Sequence, residues 1–111
     1  MVLRTAIATL LLMAAPAEAA SRGTLIAMAV ALLDVAEQHC DDLKRDAELE
    51  EHLLRHFHEY DIGGLASAIS GPLNAFYEDF QREAEEDARA FCRAAPAYAA
   101  RTGYPVIVSA R

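Results

Sequence analysis

The two cysteines, Cys40 and Cys92, place the strongest single constraint on how this 111-residue chain can fold. A bond between them closes a loop of about 50 residues, which in the chain-entropy model stabilises the folded state by roughly 4 kcal/mol. A domain of about 90 residues buries only about 60 to 65% of its unfolded surface, so it gains much from such a cross-link. Whether the bond forms depends on the compartment in which the protein resides.

The beginning of the chain has the features of a secretory signal peptide. Arg4 supplies a positive charge, residues 6–15 are apolar, and the Ala-Glu-Ala sequence at 17–19 matches a cleavage site with small residues. The apolar run is too short to span a bilayer, which requires about 20 residues. We therefore expect residues 1–19 to be a cleaved signal peptide and residues 20–111 to be a single domain. This domain is expected to be periplasmic or secreted, without membrane contact after cleavage; an uncleaved N-terminal anchor is the alternative.

Export to an oxidising compartment makes a disulfide between Cys40 and Cys92 the expected state of the two thiols. The alternative, a pair of reactive thiols, is disfavoured because the sequence has no Cys-x-x-Cys pair and no resolving neighbour. The disulfide is therefore part of the predicted fold.

The net charge of −7 bears on the partners of the protein. An acidic surface repels phosphate backbones, and we expect that no cluster of Lys and Arg exists to offset the repulsion. We therefore expect no nucleic acid as a partner. Other periplasmic proteins are the expected partners.

Apolar residues recur at helical spacing through most of the mature chain, which predicts an all-α fold. The first helix is predicted to extend through Leu43, with Leu25 and Leu32 on a wide apolar face. The second is predicted over residues 47–59 with Asp46 as its cap. The apolar stripe of the second helix consists of Leu49, Leu53, Phe57 and Tyr60.

The second half of the chain predicts more helix and a loosely ordered end. Asp61 is expected to cap a short third helix that ends before the Ser-Gly-Pro boundary at 70–72. A long helix is then predicted to continue until Pro96, with Cys92 in its last turn. The predicted fold is a small three- to four-helix bundle tied by one disulfide, with an irregular C-terminal tail packed back across the bundle.

Motifs for catalysis are absent from the sequence. Ser67, Ser70 and Ser109 are not in the glycine-rich or strained turns that present a serine nucleophile. There is no H-E-x-x-H motif, phosphate loop or dinucleotide fingerprint. We expect no catalytic residue and no enzymatic activity; a small enzyme of unknown class is the remaining alternative.

The second predicted helix contains three of the four histidines, in the stretch HLLRHFHEY that begins at His52. His52 and His56 lie one turn apart, Glu48 and Glu59 fall beside them, and His58 faces away. Two imidazoles with a carboxylate suit Zn²⁺, Cu²⁺ or Ni²⁺. The simpler interpretation makes His56 a half-buried boundary residue and requires no cofactor. A metal-binding or metal-carrier protein that uses His52, His56 and either Glu48 or Glu59 is the alternative function.

Residues 39–43 (HCDDL) and 91–98 (FCRAAPAY), followed by Gly103, resemble segments of short exported proteins of Gram-negative bacteria. Those proteins are largely uncharacterised, so the resemblance implies a compartment and an architecture but no activity. The plan of two cysteines in an all-helical exported domain is also similar to the small periplasmic acid-stress chaperones of the HdeA type. That resemblance implies that the client-binding segment corresponds loosely to residues 62–80.

The leading functional hypothesis is a non-enzymatic periplasmic protein that binds or stabilises other proteins through an apolar helix face that a small bundle does not fully cover. In an acid-driven form of this hypothesis, low pH loosens the bundle while the disulfide holds its ends together. The candidate partner-binding residues are Leu73, Phe76, Tyr77 and Phe80.

Processing and cross-linking yield a first prediction. Protein recovered from the periplasm should begin near Ala20, and its intact mass should be lower than that of the fully reduced form by two hydrogen atoms. Mass spectrometry before and after reduction measures both quantities. Two titratable thiols in the native protein would contradict the disulfide, and a chain that still begins at Met1 would contradict cleavage.

Overall fold

Helices make up most of the described chain, and two short strands pair the segment after the first of these helices with the last described residues. The computed structural model describes the backbone of residues 18–60 and 66–111 and the side chains of residues 22–59 and 71–111. The elements in chain order are α1 (Glu18–His39), β1 (Lys44–Arg45), α2 (Ala47–Tyr60), α3 (Ala66–Glu86), α4 (Ala88–Arg101) and β2 (Ile107–Ser109). The predicted small helical bundle is confirmed.

Helix α1 is the central element, because it packs against α2, α3 and α4 on different sides. Its buried residues follow one another around the helix and include Ile26, Ala27, Ala29, Ala31, Leu32, Leu33, Val35 and Ala36. A helix that is apolar on nearly every side must be enclosed by other elements. The buried surface of α1 is therefore broader than the predicted wide apolar face. Leu25, which was placed on that face, is itself 38% exposed.

Helix α1 ends at His39, one turn earlier than predicted. The Cys40 amide still donates to the carbonyl of Ala36 at 2.9 Å, but Asp42 has a φ of 51° and reverses the chain. Asp tolerates this left-handed conformation better than most residues with a side chain. The residues after the turn extend into β1 and do not continue the helix.

Helix α2 begins as predicted, with Asp46 as its cap. The amide of Leu49 donates to Asp46 Oδ1 at 3.0 Å, which satisfies one of the donors left free at a helix start. Leu53 is fully buried, and Leu49 and Phe57 pack against the core. The side chain of Tyr60, the last member of the predicted stripe, lies outside the described residues.

Helix α3 passes through the predicted boundary at residues 70–72, so that prediction is wrong. Pro72 lies inside the helix, where its ring removes one backbone hydrogen bond without ending the element. The apolar face of α3 against α1 compensates for this local loss. Asp61, the predicted cap of a short third helix, lies outside the described residues, and residues 66–69, which precede the predicted boundary, belong to α3.

The predicted long helix is interrupted at Asp87, so it consists of α3 and α4. Asp87 has non-helical torsion angles (φ −158°, ψ 88°), and its carboxylate accepts from the amide of Ala90 at 3.0 Å. This is the geometry of a helix N-cap. Pro96 was predicted to end the helix but lies inside α4, and Cys92 lies near the start of α4 instead of in a last turn.

The C-terminal tail is more regular than predicted. Strand β2 pairs antiparallel with β1, so that Lys44 faces Ser109 and Arg45 faces Ile107. Beside the pair, the amide of Asp46 donates to the carbonyl of Val106 at 2.8 Å. A strand of three residues is too short for a periodic pattern, and its partner is distant in sequence, so the sequence alone did not reveal it.

The disulfide between Cys40 and Cys92 is confirmed, with Cα atoms 5.6 Å apart. It joins the residue that follows α1 to the first part of α4. Next to it, Phe80, Phe91 and Tyr98 form an aromatic cluster with ring centroids 5.7 to 6.4 Å apart. The cross-link and this cluster hold α3 and α4 against the centre of the bundle.

Replacement of Cys92 by Ser should lower the free energy of unfolding by about 2 to 5 kcal/mol, because the unfolded chain is no longer constrained by the cross-link. Chemical denaturation followed by circular dichroism measures the change. In the presence of a reductant the wild type should approach the stability of the variant. A difference between the two that persists after complete reduction would show that the thiol side chain acts through packing and not through the bond.

Candidate functional site

A groove of about 510 Å³ lies where α1, α2 and α3 meet. We call it the α1–α2–α3 groove; it is lined by Val30, Leu33, Asp34, Glu37, Glu50, Leu54, Leu73, Asn74 and Tyr77. Its floor is apolar because aliphatic residues of α1 and α3 face each other across it. Its edges are polar, and several of the edge groups are carboxylates.

Leu54 is the exposed apolar residue of the groove. It lies on α2 one position after the buried Leu53 and is 46% exposed. A single exposed leucine is ordinary on a protein surface, but this one continues an apolar floor. The groove therefore offers an apolar surface that extends from a recess to the outside of the domain.

The rim of the groove is acidic, although Arg45 offsets part of the charge. Arg45 Nη1 lies 2.6 Å from Glu37 Oε1 and 3.4 Å from Glu50 Oε1. The second contact is an ion pair by distance only, because Glu50 Oε1 is buried and has no hydrogen-bond partner within the described residues. Among the residues that the structure describes, Asp34 accepts only a 3.3 Å hydrogen bond from Gln38 Nε2. Asp34 and Glu50 thus remain incompletely compensated.

One wall of the groove is fixed by a polar network between α1 and α3. Gln38 Nε2 donates to the hydroxyl of Tyr77 at 2.8 Å, and Gln81 Nε2 donates to Gln38 Oε1 at 3.0 Å. His39 Nε2 lies 2.6 Å from Gln81 Oε1; since an amide oxygen can only accept, this ring nitrogen donates. The network holds the hydroxyl of Tyr77, which lines the groove, against α1.

The predicted partner-binding residues are divided between two environments. Leu73 and Tyr77 line the groove. Phe80 is only 6% exposed and stacks on Tyr98, and Phe76 stacks on Phe80 with ring centroids 6.1 Å apart. The four residues therefore do not form one uncovered face, because the periodic stripe of α3 is used mainly for packing.

The two histidines of the predicted pair are in contact with each other. The rings of His52 and His56 lie 4.5 Å apart, and His56 Nδ1 shares a hydrogen bond of 2.6 Å with the hydroxyl of Tyr104. Glu48 and Glu59 are exposed. Within the part of the chain that the structure describes, no group of three or more His, Cys, Asp or Glu side chains is placed to hold a metal ion. His56 thus joins α2 to the segment before β2.

A cluster of basic residues in the structure was not predicted from the sequence. Arg89, Arg93 and Arg111 line a second pocket, of about 650 Å³, beside Cys92. The expectation that no Lys and Arg cluster exists is therefore wrong. Arg89 and Arg93 are one helical turn apart, a spacing that was visible in the sequence, but the approach of Arg111 depends on the pairing of β2.

No protein-family model matches the chain, and neither a curated protein nor a solved structure is detectably similar to it. Of the helices in residues 18–60 and 66–111, none combines the length and the apolar character that crossing a membrane requires.

Tyr98 couples α3 to α4 through a titratable hydrogen bond. Its hydroxyl donates to Glu83 Oε1. This hydrogen bond is the largest of the effects that raise the pKa of Tyr98; burial and the negative charge of Glu83 act in the same direction. Arg101, whose guanidinium carbon lies 5.8 Å from the centre of the ring, lowers the pKa. The contact between Tyr98 and Glu83 spans the break at Asp87, so it stabilises the angle between the two helices.

Replacement of Tyr98 by Phe should lower the free energy of unfolding near neutral pH by about 1 to 2 kcal/mol, because a hydrogen bond to a charged group is lost. Since the folded-state pKa of Tyr98 is raised, its contribution is complete below the unfolded value of about 10 and is lost as pH rises through the folded value. The difference between wild type and variant should therefore shrink above about pH 10 in urea denaturation experiments. In Glu83→Gln, which keeps an acceptor without the charge, the loss of stability at alkaline pH should be smaller than in the wild type. An equal loss in Glu83→Gln and in the wild type would show that the Glu83 carboxylate is not responsible.

Proposed function

We propose that this domain is a non-enzymatic protein-binding module of an oxidising compartment, the periplasm or the extracellular space. The observation that carries the proposal is the α1–α2–α3 groove, which combines an apolar floor, an acidic rim and the exposed side chain of Leu54. Grooves of this kind bind the apolar face of an amphipathic helix in many recognition domains.

The occupant is an amphipathic segment of another protein that has Lys or Arg beside its apolar face. Its apolar residues displace water from Val30, Leu33 and Leu73 on the floor of the groove. Its basic residues approach Asp34 and Glu50, whose charges are incompletely compensated. Charge complementarity of this type speeds association and excludes acidic partners.

The compartment is supported by the cross-link. A buried disulfide in a domain of this size is typical of proteins that fold in oxidising surroundings. The similarity in plan to acid-stress chaperones of the HdeA type suggests a rival mode of binding, in which acid loosens the bundle. Acid has opposite effects on binding in the two modes. It should weaken binding that depends on a carboxylate rim, and it should create binding that depends on a face exposed when the bundle loosens.

The proposal is tested by fluorescence anisotropy with a labelled amphipathic peptide of leucine and lysine, and with the same peptide carrying glutamate for lysine. The basic peptide should bind, and the acidic peptide should bind at least about tenfold more weakly because the rim repels it. Binding of the basic peptide should weaken from neutral pH to about pH 3, where carboxyl groups are protonated. Failure of the basic peptide to bind at neutral pH overturns the groove proposal, and binding only in acid supports the rival mode.

Two pairs of variants locate the binding. Leu54→Asn removes the exposed apolar group of the groove, and Val108→Thr removes one that is 61% exposed on β2. Asp34→Asn removes a rim charge, and Glu86→Gln removes an exposed charge at the end of α3. Only the two groove variants should weaken binding, by about threefold to tenfold each. Equal effects in the control variants would show that the peptide binds the acidic surface without using the groove.

A further inference from the structure

The second pocket has a charge opposite to that of the rest of the protein. We call it the arginine pocket; it is lined by His39, Asp41, Ala88, Arg89, Cys92, Arg93, Ala110 and Arg111. Three of the ten Lys and Arg residues of a chain with net charge −7 meet there. The pocket has a volume of about 650 Å³, which is within the range of about 300 to 1,000 Å³ usual for sites of small organic ligands.

The arginine pocket is assembled by contacts distant in sequence. The disulfide places Cys92, and with it Arg89 and Arg93 on either side, next to the end of α1. From the other side, the amide of Arg111 donates to the carbonyl of Asp41 at 3.0 Å, which fixes the chain after β2. The cross-link and the strand pair therefore determine the positions of the three arginines.

The guanidinium groups of the pocket are largely available. Neither Arg89 nor Arg93 has an ion-pair partner among the described residues, although carboxylates outnumber basic groups in the chain. Within the same part of the chain, the guanidinium group of Arg111 has only a long ion-pair contact, with its Nη1 atom 3.8 Å from Asp42 Oδ2. Asp41 is the carboxylate that lines the pocket and opposes the positive charge. Two unpaired guanidinium groups one turn apart suit the bidentate binding of an oxyanion.

We propose that the arginine pocket binds a small organic oxyanion, a dicarboxylate or a phosphate monoester. The charged groups of the ligand contact Arg89 and Arg93, and its carbon body lies against Ala88, Ala110 and the disulfide. The polar and apolar parts of the lining together favour an organic anion over an inorganic one. This site is separate from the α1–α2–α3 groove and does not depend on the function proposed for it.

Isothermal titration calorimetry on the oxidised protein at low ionic strength tests the proposal with three probes: succinate, phenyl phosphate and inorganic phosphate. At least one of the two organic anions should bind more tightly than inorganic phosphate, and their ranking distinguishes a carboxylate site from a phosphate site. The proposal is overturned if neither organic anion binds, or if inorganic phosphate binds more tightly than both of them.

Charge-matched variants decide whether the pocket is responsible. The double variant Arg89→Gln with Arg93→Gln should weaken binding about tenfold or more, whereas Arg55→Gln with Arg82→Gln, which removes the same charge from exposed positions on α2 and α3, should change it by less than about twofold. Asp41→Asn should strengthen binding, since it removes the opposing charge. Equal losses in the two double variants, or weaker binding by Asp41→Asn, would overturn the assignment.

Discussion

The burial of α1 on nearly every side is the interaction on which the rest of the structure depends. Ile26, Leu32 and Val35 are fully enclosed, and each side chain of this kind contributes about 1.5 to 3 kcal/mol when it is removed from water. A helix that is apolar on nearly every side has to be enclosed by other elements. The other helices are therefore arranged around α1, and the α1–α2–α3 groove lies where two of them do not completely cover it.

The two candidate sites have opposite electrostatic character because different constraints assemble them. The groove arises from helix packing, and its acidic rim reflects the general excess of carboxylates in the sequence. The arginine pocket requires a covalent bond and a strand pair, which bring together basic residues from α4 and from the end of the described chain. An acidic domain can in this way maintain a local positive potential, since nearby charges dominate over distant ones that solvent and salt screen.

The sequence predicted the features that depend on local chemistry. The cap at Asp46, the stripe around Leu53 and the cross-link were all evident from residue type and spacing. The helix boundaries in the second half were predicted wrongly because Pro72 and Pro96 received more weight than the capping chemistry of Asp87. The strand pair and the meeting of Arg111 with Arg89 are tertiary, so no local pattern encodes them.

The position of the cross-link also determines which parts of the chain stay connected after backbone cleavage. Cys40 and Cys92 enclose α2 and α3 within one covalent loop, whereas α1 and most of α4 lie outside it. A protease that cuts once anywhere inside this loop produces two fragments that remain joined through sulfur. The central helix thus keeps its covalent link to α4 even when the chain between them is broken, and the nicked molecule separates only after reduction.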